Sequence, residues 1–200
     1  MPFTTAYSTK CLPDTVPDLR AQCNHCKPRA VIFFASSKYD PAELSMQMRA
    51  AFPDACVAGC STAGEIAGGK MITDSVTAIF LDEEIAGQTA AAVVENLSRG
   101  VRVSDALSKL GQQLHAPVSS LDTEKYVGLV LIDGMSGAEE AVIEKIGDLI
   151  DIIFVGGSAG DDLKFQSTHV MLGGAAYTNA ALLLILELKR GFDVVKTQSF

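Results

Sequence analysis

The chain has 200 residues, of which 48% are hydrophobic, and a formal net charge of −8. This length and apolar content support one well-buried domain, or two small domains that share a core, and they exclude disorder as the main state. An acidic chain without a basic stripe has little with which to neutralise phosphates, so nucleic acids and anionic membrane surfaces are disfavoured as partners.

The signals for cellular location favour the cytoplasm. The longest apolar run, residues 180–186, is far shorter than the ~18 residues of a membrane-spanning helix, so no membrane span is predicted. The N-terminus lacks the basic and apolar regions of a secretory signal. Five cysteines, an odd number, fit a reducing compartment better than a disulfide framework.

The first part of the chain predicts a strand and a short helix, followed by a β-α-β-β-β unit. Asp40 begins the second helix, because its carboxylate can accept from exposed amides while Pro41 needs no donor and Glu43 can reach back. Pro53 ends this helix near Phe52. The predicted strands are residues 3–10, 31–35, 56–60, 75–81 and 89–95, and the predicted helices are residues 14–21 and 41–52.

The second part predicts a helix and then the same kind of unit. Ser104 is the expected N-cap of a helix over residues 105–114. Ser136 and Glu139 form a capping box for a helix over residues 138–149. The predicted strands are residues 127–132, 151–155, 168–172 and 181–187.

Two loops of the sequence match each other at a separation of 96 residues. The first loop reads T-A-G-E at residues 62–65, the second reads S-A-G-D at 158–161, and the helix starts at Asp40 and Ser136 have the same separation. This agreement indicates an internal duplication. The predicted fold is therefore α/β (α+β), with two β-α-β-β-β units related by pseudo-two-fold symmetry around a mixed sheet, and with the two loops close together.

The predicted organisation is an N-terminal preamble followed by one duplicated domain. Residues 1–29 form the preamble, which contains a strand, prolines and three cysteines. Residues 30–200 form the domain, with repeat 1 at about 30–100 and repeat 2 at about 126–191. Residues 192–200 would open a third copy, which predicts that the chain was cut from a longer protein.

The composition of the loops is compatible with two interpretations. Their glycines permit unusual backbone conformations, and nearby hydroxyl and amide donors can face an anionic group. Glu65, or Asp161 with Asp162, can hold a cation or an amine, so that a zwitterion such as an amino acid suits the combination. The same residues also suit a tight turn between two buried strands.

An enzymatic alternative would use Cys60 or Ser61 as a nucleophile. Such a residue needs a base, and no catalytic signature surrounds any of the three histidines. At a separation of 96 residues the matching positions are Gly156 and Gly157, and the G-x-S-x-G elbow is absent. Hydrolysis and acyl transfer are therefore disfavoured. A phosphate site before the 138–149 helix is also disfavoured, because Ser136 is better explained as an N-cap.

Metal and haem sites stay open alternatives. Cys11, Cys23, His25 and Cys26 would have to assemble a zinc site by tertiary proximity, since the single C-x-x-C has no second pair of ligands at finger spacing. His169 is the candidate axial ligand of a haem, although a lone histidine on an apolar strand is more often a core residue. No cofactor is predicted, and haem is the alternative.

Taken together, these motifs resemble the N-terminal part of the FIST domain, a sensory domain named for F-box and intracellular signal transduction proteins. The matching segments are G-C-S-T-A-G-E-I at 59–66, D-G at 133–134 and V-G-G-S-A-G-D-D at 155–162, within a resemblance that covers about residues 30–200. It implies a cytoplasmic sensory module that binds a small ligand, with amino acids a proposed class. It also implies a signalling output, such as a histidine kinase, a chemoreceptor or a cyclic-di-nucleotide enzyme. Haem and nitric oxide sensing in some members, and a C-terminal FIST region after residue 200, are further implications.

Nine residues are predicted to bind the ligand. Backbone amides and hydroxyls would hold a carboxylate, acidic side chains would hold an amine, and no bond would be broken, so the prediction is a sensor that is not an enzyme. The nine are Ser61, Thr62 and Glu65 near the first loop, Ser158, Asp161 and Asp162 near the second, and Ser36, Asp133 and Ser136 at neighbouring strand ends.

Overall fold

The computed structural model describes residues 3–23 and 26–195, which form twelve strands and four α-helices. The strands are β1 (Phe3–Ser8), β2 (Pro28–Ser36), β3 (Cys56–Thr62), β4 (Glu65–Ala67), β5 (Lys70–Ile72), β6 (Val76–Asp82), β7 (Ala86–Glu95), β8 (Tyr126–Ile132), β9 (Phe154–Ser158), β10 (Val170–Leu172), β11 (Ala175–Tyr177) and β12 (Ala180–Leu188). The helices are α1 (Leu12–Gln22), α2 (Pro41–Ala51), α3 (Val103–Leu114) and α4 (Glu139–Gly147).

Two mixed sheets stack face to face, with helices on both outer faces. The first sheet has the order β1-β6-β2-β3-β10-β11 and the second has the order β7-β12-β8-β9. One apolar cluster lies between the sheets, a second lies under α1 and α2, and a third lies under α3 and α4. The fold is therefore α/β in four layers, as the class prediction required. The fully buried run from Ala180 to Ile185 in β12 is continuous because both faces of that strand are covered.

The two sheets repeat the same strand order in two halves of the chain, residues 3–82 and 86–188. The order β1-β6-β2-β3 corresponds to β7-β12-β8-β9, with antiparallel and parallel pairs in the same places. Strand β7 thus corresponds to β1, so it opens the second half and does not close the first. The predicted β-α-β-β-β boundaries were wrong on this point, because they placed the strand at 89–95 at the end of the first unit. Strand β1, which was assigned to the preamble, belongs to the first half. Descent of the halves from one duplicated unit stays a prediction.

The halves align at a separation of 97 residues in β2, β3, β8 and β9, which corrects the predicted separation of 96. Phe33 pairs with Gly59, and Val130 pairs with Gly156. A Cβ on either glycine would collide with the carbonyl oxygen of its pairing residue. A one-residue slip would exchange the inner and outer faces of a strand, so sheet packing decides the register. Ser61 therefore corresponds to Ser158, and the shared feature of the loops is G-x-S.

Helix starts were predicted unevenly. Asp40 caps α2 as expected, and its carboxylate accepts from the amide of Glu43 at 2.8 Å. The N-cap of α3 is Arg102 instead of Ser104, and the N-cap of α4 is Ala138 instead of Ser136. Ser136 instead donates to the carbonyl of Asp133 at 2.6 Å, because a tight turn precedes the helix. Neither prediction for these two caps holds.

Several shorter features also differ from expectation. The hairpins β4–β5 and β10–β11 each turn through two glycines, and only the β10 side was predicted as a strand. Residues 191–195, where the predicted third copy would begin, form no strand, and the rest of that predicted copy lies outside the described residues. Cys23 and Cys26 form a disulfide, which contradicts the expectation of free thiols at these positions. Among the described residues, no helix has the length and apolar character needed to cross a bilayer.

Candidate functional site

The first and second loops are in direct contact, as predicted. The amide of Gly160 donates to the carbonyl of Ser61 at 2.9 Å. A Cβ at Gly160 would lie 2.9 Å from the amide nitrogen of Ala63, so glycine is required for this approach. The Ser61 hydroxyl accepts from the amide of His169 at 2.9 Å, and it is buried. Ser61 therefore serves to join the loops.

Glu65 is a buried carboxylate at the start of β4, and only 2% of the residue is exposed. One of its oxygens accepts from the hydroxyl of Thr62 at 2.5 Å, and the other accepts from the hydroxyl of Ser75. Each carboxylate oxygen has two acceptor sites, so these two donors leave capacity for further hydrogen bonds. Glu65 and Thr62 are thus in direct contact, and their membership of a ligand site stays a prediction.

Asp161 organises the chain that follows the second loop. Its carboxylate accepts from the backbone amides of Phe165, Gln166 and Ser167 at 3.0, 2.6 and 3.1 Å. These amides, chiefly that of Gln166, hold the pKa of Asp161 below its usual value, although burial acts in the opposite direction. The residue is buried, serves its own loop and is not among the residues that line the cavity beside the first loop.

Asp162 connects the second loop to the end of β2. Its Oδ2 accepts from the hydroxyls of Ser36 at 3.1 Å and Ser37 at 2.5 Å. Lys164 lies 3.7 Å from the same oxygen and donates to Ser37 at 2.8 Å. The predicted neighbours Ser36 and Asp162 are therefore brought together, but their polar groups satisfy one another.

Asp133 is a buried centre at the end of β8. Its carboxylate accepts from the amide of Met135 at 2.9 Å, from the hydroxyl of Thr168 and from the amide of Asn179. These donors belong to three different segments, so Asp133 fixes the strand ends relative to one another. Ser158 lies apart from this centre, is exposed and donates to Glu139 at 2.8 Å.

A cavity of about 560 Å³ opens beside the first loop, between the β4–β5 hairpin and the inner face of β1, β6 and β2. Two predicted residues, Thr62 and Glu65, line it. Sequence reasoning missed the remaining polar and aromatic lining residues, which are Thr5, Tyr7, Gln22, Phe34 and Thr77. The alternation in β1 could have indicated that Thr5 and Tyr7 share one face, but nothing in the sequence shows that the hairpin lies over them.

A comparison with known protein families identifies the family of this chain. The family model of the FIST N domain matches residues 29–200. The chain belongs to the FIST family. FIST domains are sensory domains implicated in signal transduction. Among curated proteins, none matches this chain.

The nucleophile alternatives gain little from the geometry of this FIST domain. Burial raises the pKa of Cys60 to about 12, so that its sulfur is a neutral thiol at physiological pH, and the thiolate is the nucleophilic form. Ser61 is occupied by the amide of His169. Ser61 instead belongs to the contact between the loops, and Cys60 packs in the apolar cluster between the sheets.

Within the described residues, the metal candidates of the FIST domain do not come together in one site. Cys23 and Cys26 are joined in a disulfide, so they offer no thiolate ligands, and His25 lies outside the described residues. In residues 3–23 and 26–195, no group of three metal-ligating side chains comes together. His169 is half-buried, pairs through its backbone with Ser61, and does not line the 560 Å³ cavity.

Asp161 is expected to make the acid stability of this FIST domain pH-dependent. Because its folded-state pKa lies below the ~3.9 of an unfolded chain, its stabilising contribution is full above that pH and is lost as the pH falls through the folded-state pKa. Asp161→Asn should therefore lower the urea midpoint at neutral pH, and the difference from wild type should shrink below about pH 4. Exposed Asp54→Asn is the matched control. Parallel profiles of Asp161→Asn and wild type at all pH values would contradict this role.

Proposed function

We propose that this FIST domain senses a small zwitterion, an amino acid with an apolar side chain, in the cavity beside the first loop. The observation that carries the proposal is the composition of the lining, which includes one carboxylate, that of Glu65, and no lysine, arginine or histidine among the described lining residues. Such a cavity attracts a cationic group more than an anionic one. An amine-bearing ligand is therefore favoured over a small acid that lacks an amine.

Glu65 is the proposed partner of the ligand's ammonium group. Thr62 and Ser75 hold its two oxygens in place, and the free acceptor sites are available for a cationic donor. A charge-assisted hydrogen bond inside a partly enclosed cavity is stronger than one in water. The carboxylate of the ligand would be held by backbone amides of the loop and by the hydroxyls of Thr5 and Thr77.

The apolar part of the ligand would lie against the inner face of the first sheet. Phe34, Ile79 and Ala67 supply apolar surface in the lining, and the polar groups are few. Small-ligand sites typically combine a mostly apolar wall with a few placed polar groups. This composition supports a ligand with an aliphatic or aromatic side chain and disfavours very polar amino acids.

The output would depend on the β4–β5 hairpin, which forms one wall of the cavity. Gly64 precedes the hairpin with a φ of 140°, a conformation that side-chain-bearing residues rarely adopt. A ligand that contacts both the hairpin and the sheet shifts the hairpin's position relative to the sheet. The proposed receiver of this change is a cytoplasmic signalling protein such as a histidine kinase, a chemoreceptor or a cyclic-di-nucleotide enzyme.

Ligand-induced thermal stabilisation tests this proposal, with Glu65→Gln as the key variant. An apolar amino acid present at about a hundredfold excess over its Kd should stabilise the wild-type chain by about 2.7 kcal/mol. The deaminated acid with the same side chain should give little shift. Glu65→Gln should weaken binding by about tenfold or more in calorimetry, because it removes the charge that the ammonium contacts.

The matched control for this experiment is Glu124→Gln, which makes the same chemical change at an exposed position. It should leave the ligand-induced shift unchanged. Because Glu65 also holds Thr62 and Ser75, the shift of each variant is measured against its own unliganded protein. The absence of stabilisation by every apolar amino acid, or equal binding by Glu65→Gln, would overturn the proposal.

A further inference from the structure

The two sheets differ by one hairpin. Their first four strands correspond, but the first sheet continues past β3 with β10 and β11, whereas the second sheet stops at β9. Gly128 donates to the carbonyl of Ile153, and Ala159 donates to the carbonyl of Ile132, so the odd-numbered residues of β9 face β8. The backbone groups of Phe154, Gly156 and Ser158 therefore face outward. Within the described ranges, β9 has an open edge.

The chain also contains a hairpin that no other strand pairs with in the part the structure describes. Hairpin β4–β5 has the sequence E-I-A-G-G-K-M-I at 65–72, and hairpin β10–β11 has V-M-L-G-G-A-A-Y at 170–177. Both turn through two glycines with positive φ. Each hairpin follows the corresponding strand of its own half, β3 or β9. Hairpin β10–β11 docks on β3, the edge that corresponds to β9, while β4–β5 forms a two-stranded sheet of its own.

The residues of the free hairpin are exposed where their counterparts are buried. Met171 is 1% exposed, and Ala176 packs with it against the core under α2. The corresponding residues of the free hairpin, Ile66 and Met71, are 79% and 74% exposed. Two large apolar side chains thus stand in solvent at the positions that make contact in the docked hairpin.

Helix α4 shows the same kind of exposure next to the open edge. Ser45 of α2 is covered by hairpin β10–β11 and donates to the carbonyl of Ala175 at 2.9 Å. In α2, Ser45 comes directly after buried Leu44. In α4, Ile143 comes directly after buried Val142, so Ile143 is the residue that corresponds to Ser45. Ile143 is 47% exposed. The open edge and Ile143 form a surface that lacks its cover.

We propose that this surface binds the β4–β5 hairpin of a second copy of the chain. The β4–β5 hairpin is held too close to β3 to reach β9 of its own copy, because only three residues connect Ser61 to Glu65. By comparison, eleven residues connect Ser158 of β9 to Val170 of the hairpin that docks on β3. Each copy carries one free hairpin and one open edge, so two copies satisfy each other reciprocally in a closed dimer. Both four-stranded sheets then become six-stranded, and Ile66 and Met71 are buried against Ile143. Strand addition at a sheet edge is an established mode of recognition.

The proposal also fixes the pairing register. Leu172 pairs with Ala58 in the docked hairpin. Ala67 corresponds to Leu172, and Val155 corresponds to Ala58, so Ala67 of one copy should pair with Val155 of the other. This register distinguishes strand addition from loose association between apolar patches.

Sedimentation velocity over a range of concentrations, without added ligand, tests the dimer. The wild-type chain should dimerise, and Ile66→Lys with Met71→Lys should weaken dimerisation by about tenfold or more, as should Ile143→Lys alone. Leu149→Lys, an exposed apolar position elsewhere beyond α4, should have no effect. An equimolar mixture of the hairpin variant and the Ile143→Lys variant should recover association, because one intact interface forms. A wild-type monomer at all concentrations, or a mixture without recovery, would overturn the proposal.

Cross-linking tests the register separately. A chain with Ala67→Cys mixed with a chain with Val155→Cys should form a disulfide-linked dimer under mild oxidation, because directly paired strand residues bring their Cβ atoms within bonding reach. Lys70→Cys mixed with Val155→Cys is the control, since Lys70 lies on the far strand of the hairpin. Equal cross-linking in both mixtures would refute the proposed register. Because no ligand is present, either failure would leave the amino-acid proposal to its own test.

Discussion

Replacing Asp133 with alanine should destabilise the domain by roughly 3–5 kcal/mol, one of the largest single effects expected in this chain. The carboxylate is buried and accepts from Met135, Thr168 and Asn179. Removing it leaves buried donors without an acceptor, and each such donor costs about 1–3 kcal/mol. Urea denaturation at neutral pH measures the loss as a lower midpoint with little change in slope.

Two further variants separate the role of the Asp133 network from that of charge. Asp133→Asn keeps the shape but offers one acceptor oxygen in place of two, so it should retain only part of the stability. Asp148→Ala removes an exposed carboxylate that pairs with Lys145, and it should cost at most about 0.5 kcal/mol. A loss below about 1 kcal/mol for Asp133→Ala would show that the three segments do not depend on this carboxylate.

Gly59→Ala should cost about 3 kcal/mol, because a Cβ at this position has no space. It would collide with the carbonyl oxygen of Phe33 and would lie 2.8 Å from carbons of the Phe33 ring. Both residues sit in the central parallel pair of the first sheet, with strands on either side, so the backbone cannot move away cheaply. Thermal and urea unfolding should show the loss together.

Matched glycines provide the controls for this prediction. Nothing lies within 4 Å of a Cβ at Gly147 in α4, so Gly147→Ala should be neutral or should stabilise by up to about 1 kcal/mol. Gly156 and Gly157 are a second pair in the other half: a Cβ at Gly156 would collide with the carbonyl oxygen of Val130, whereas Gly157 has open space. Equal effects of Gly59→Ala and Gly147→Ala would contradict the steric argument.

Local signals predicted local structure well. The Asp40 cap and the Pro53 stop gave α2 almost to the residue, because both act through neighbouring backbone groups. The Ser136 cap failed although its sequence signal was similar. There the hydroxyl is taken by the carbonyl of Asp133, which is held by strand ends distant in sequence. A capping motif predicts a helix start only where tertiary contacts do not compete for its side chain.

The separation of 96 residues shows the limit of comparing short motifs. T-A-G-E and S-A-G-D look alike, but the sheet aligns Gly59 with Gly156 and Ser61 with Ser158. Strands tolerate many substitutions and do not tolerate an exchange of faces, so the packing of Phe33 and Val130 decides the register. With that register, Asp161 no longer corresponds to Glu65, and the two acids have different partners.

The sequence by itself determined the α/β class, the family, most strands and the proximity of the two loops, because apolar periodicity, caps and glycine-rich turns are encoded locally. Only the tertiary structure decided which partners each acid has and which acid lines a cavity. Asp133 and Asp162 accept from hydroxyls and amides of other segments, and Asp161 accepts from amides of its own loop. Glu65 also accepts from two hydroxyls, but it is the acid that lines the 560 Å³ cavity. Side-chain hydrogen bonding depends on which segments meet in space, and a carboxylate buried among distant donors has the same letter in the sequence as one that lines a cavity.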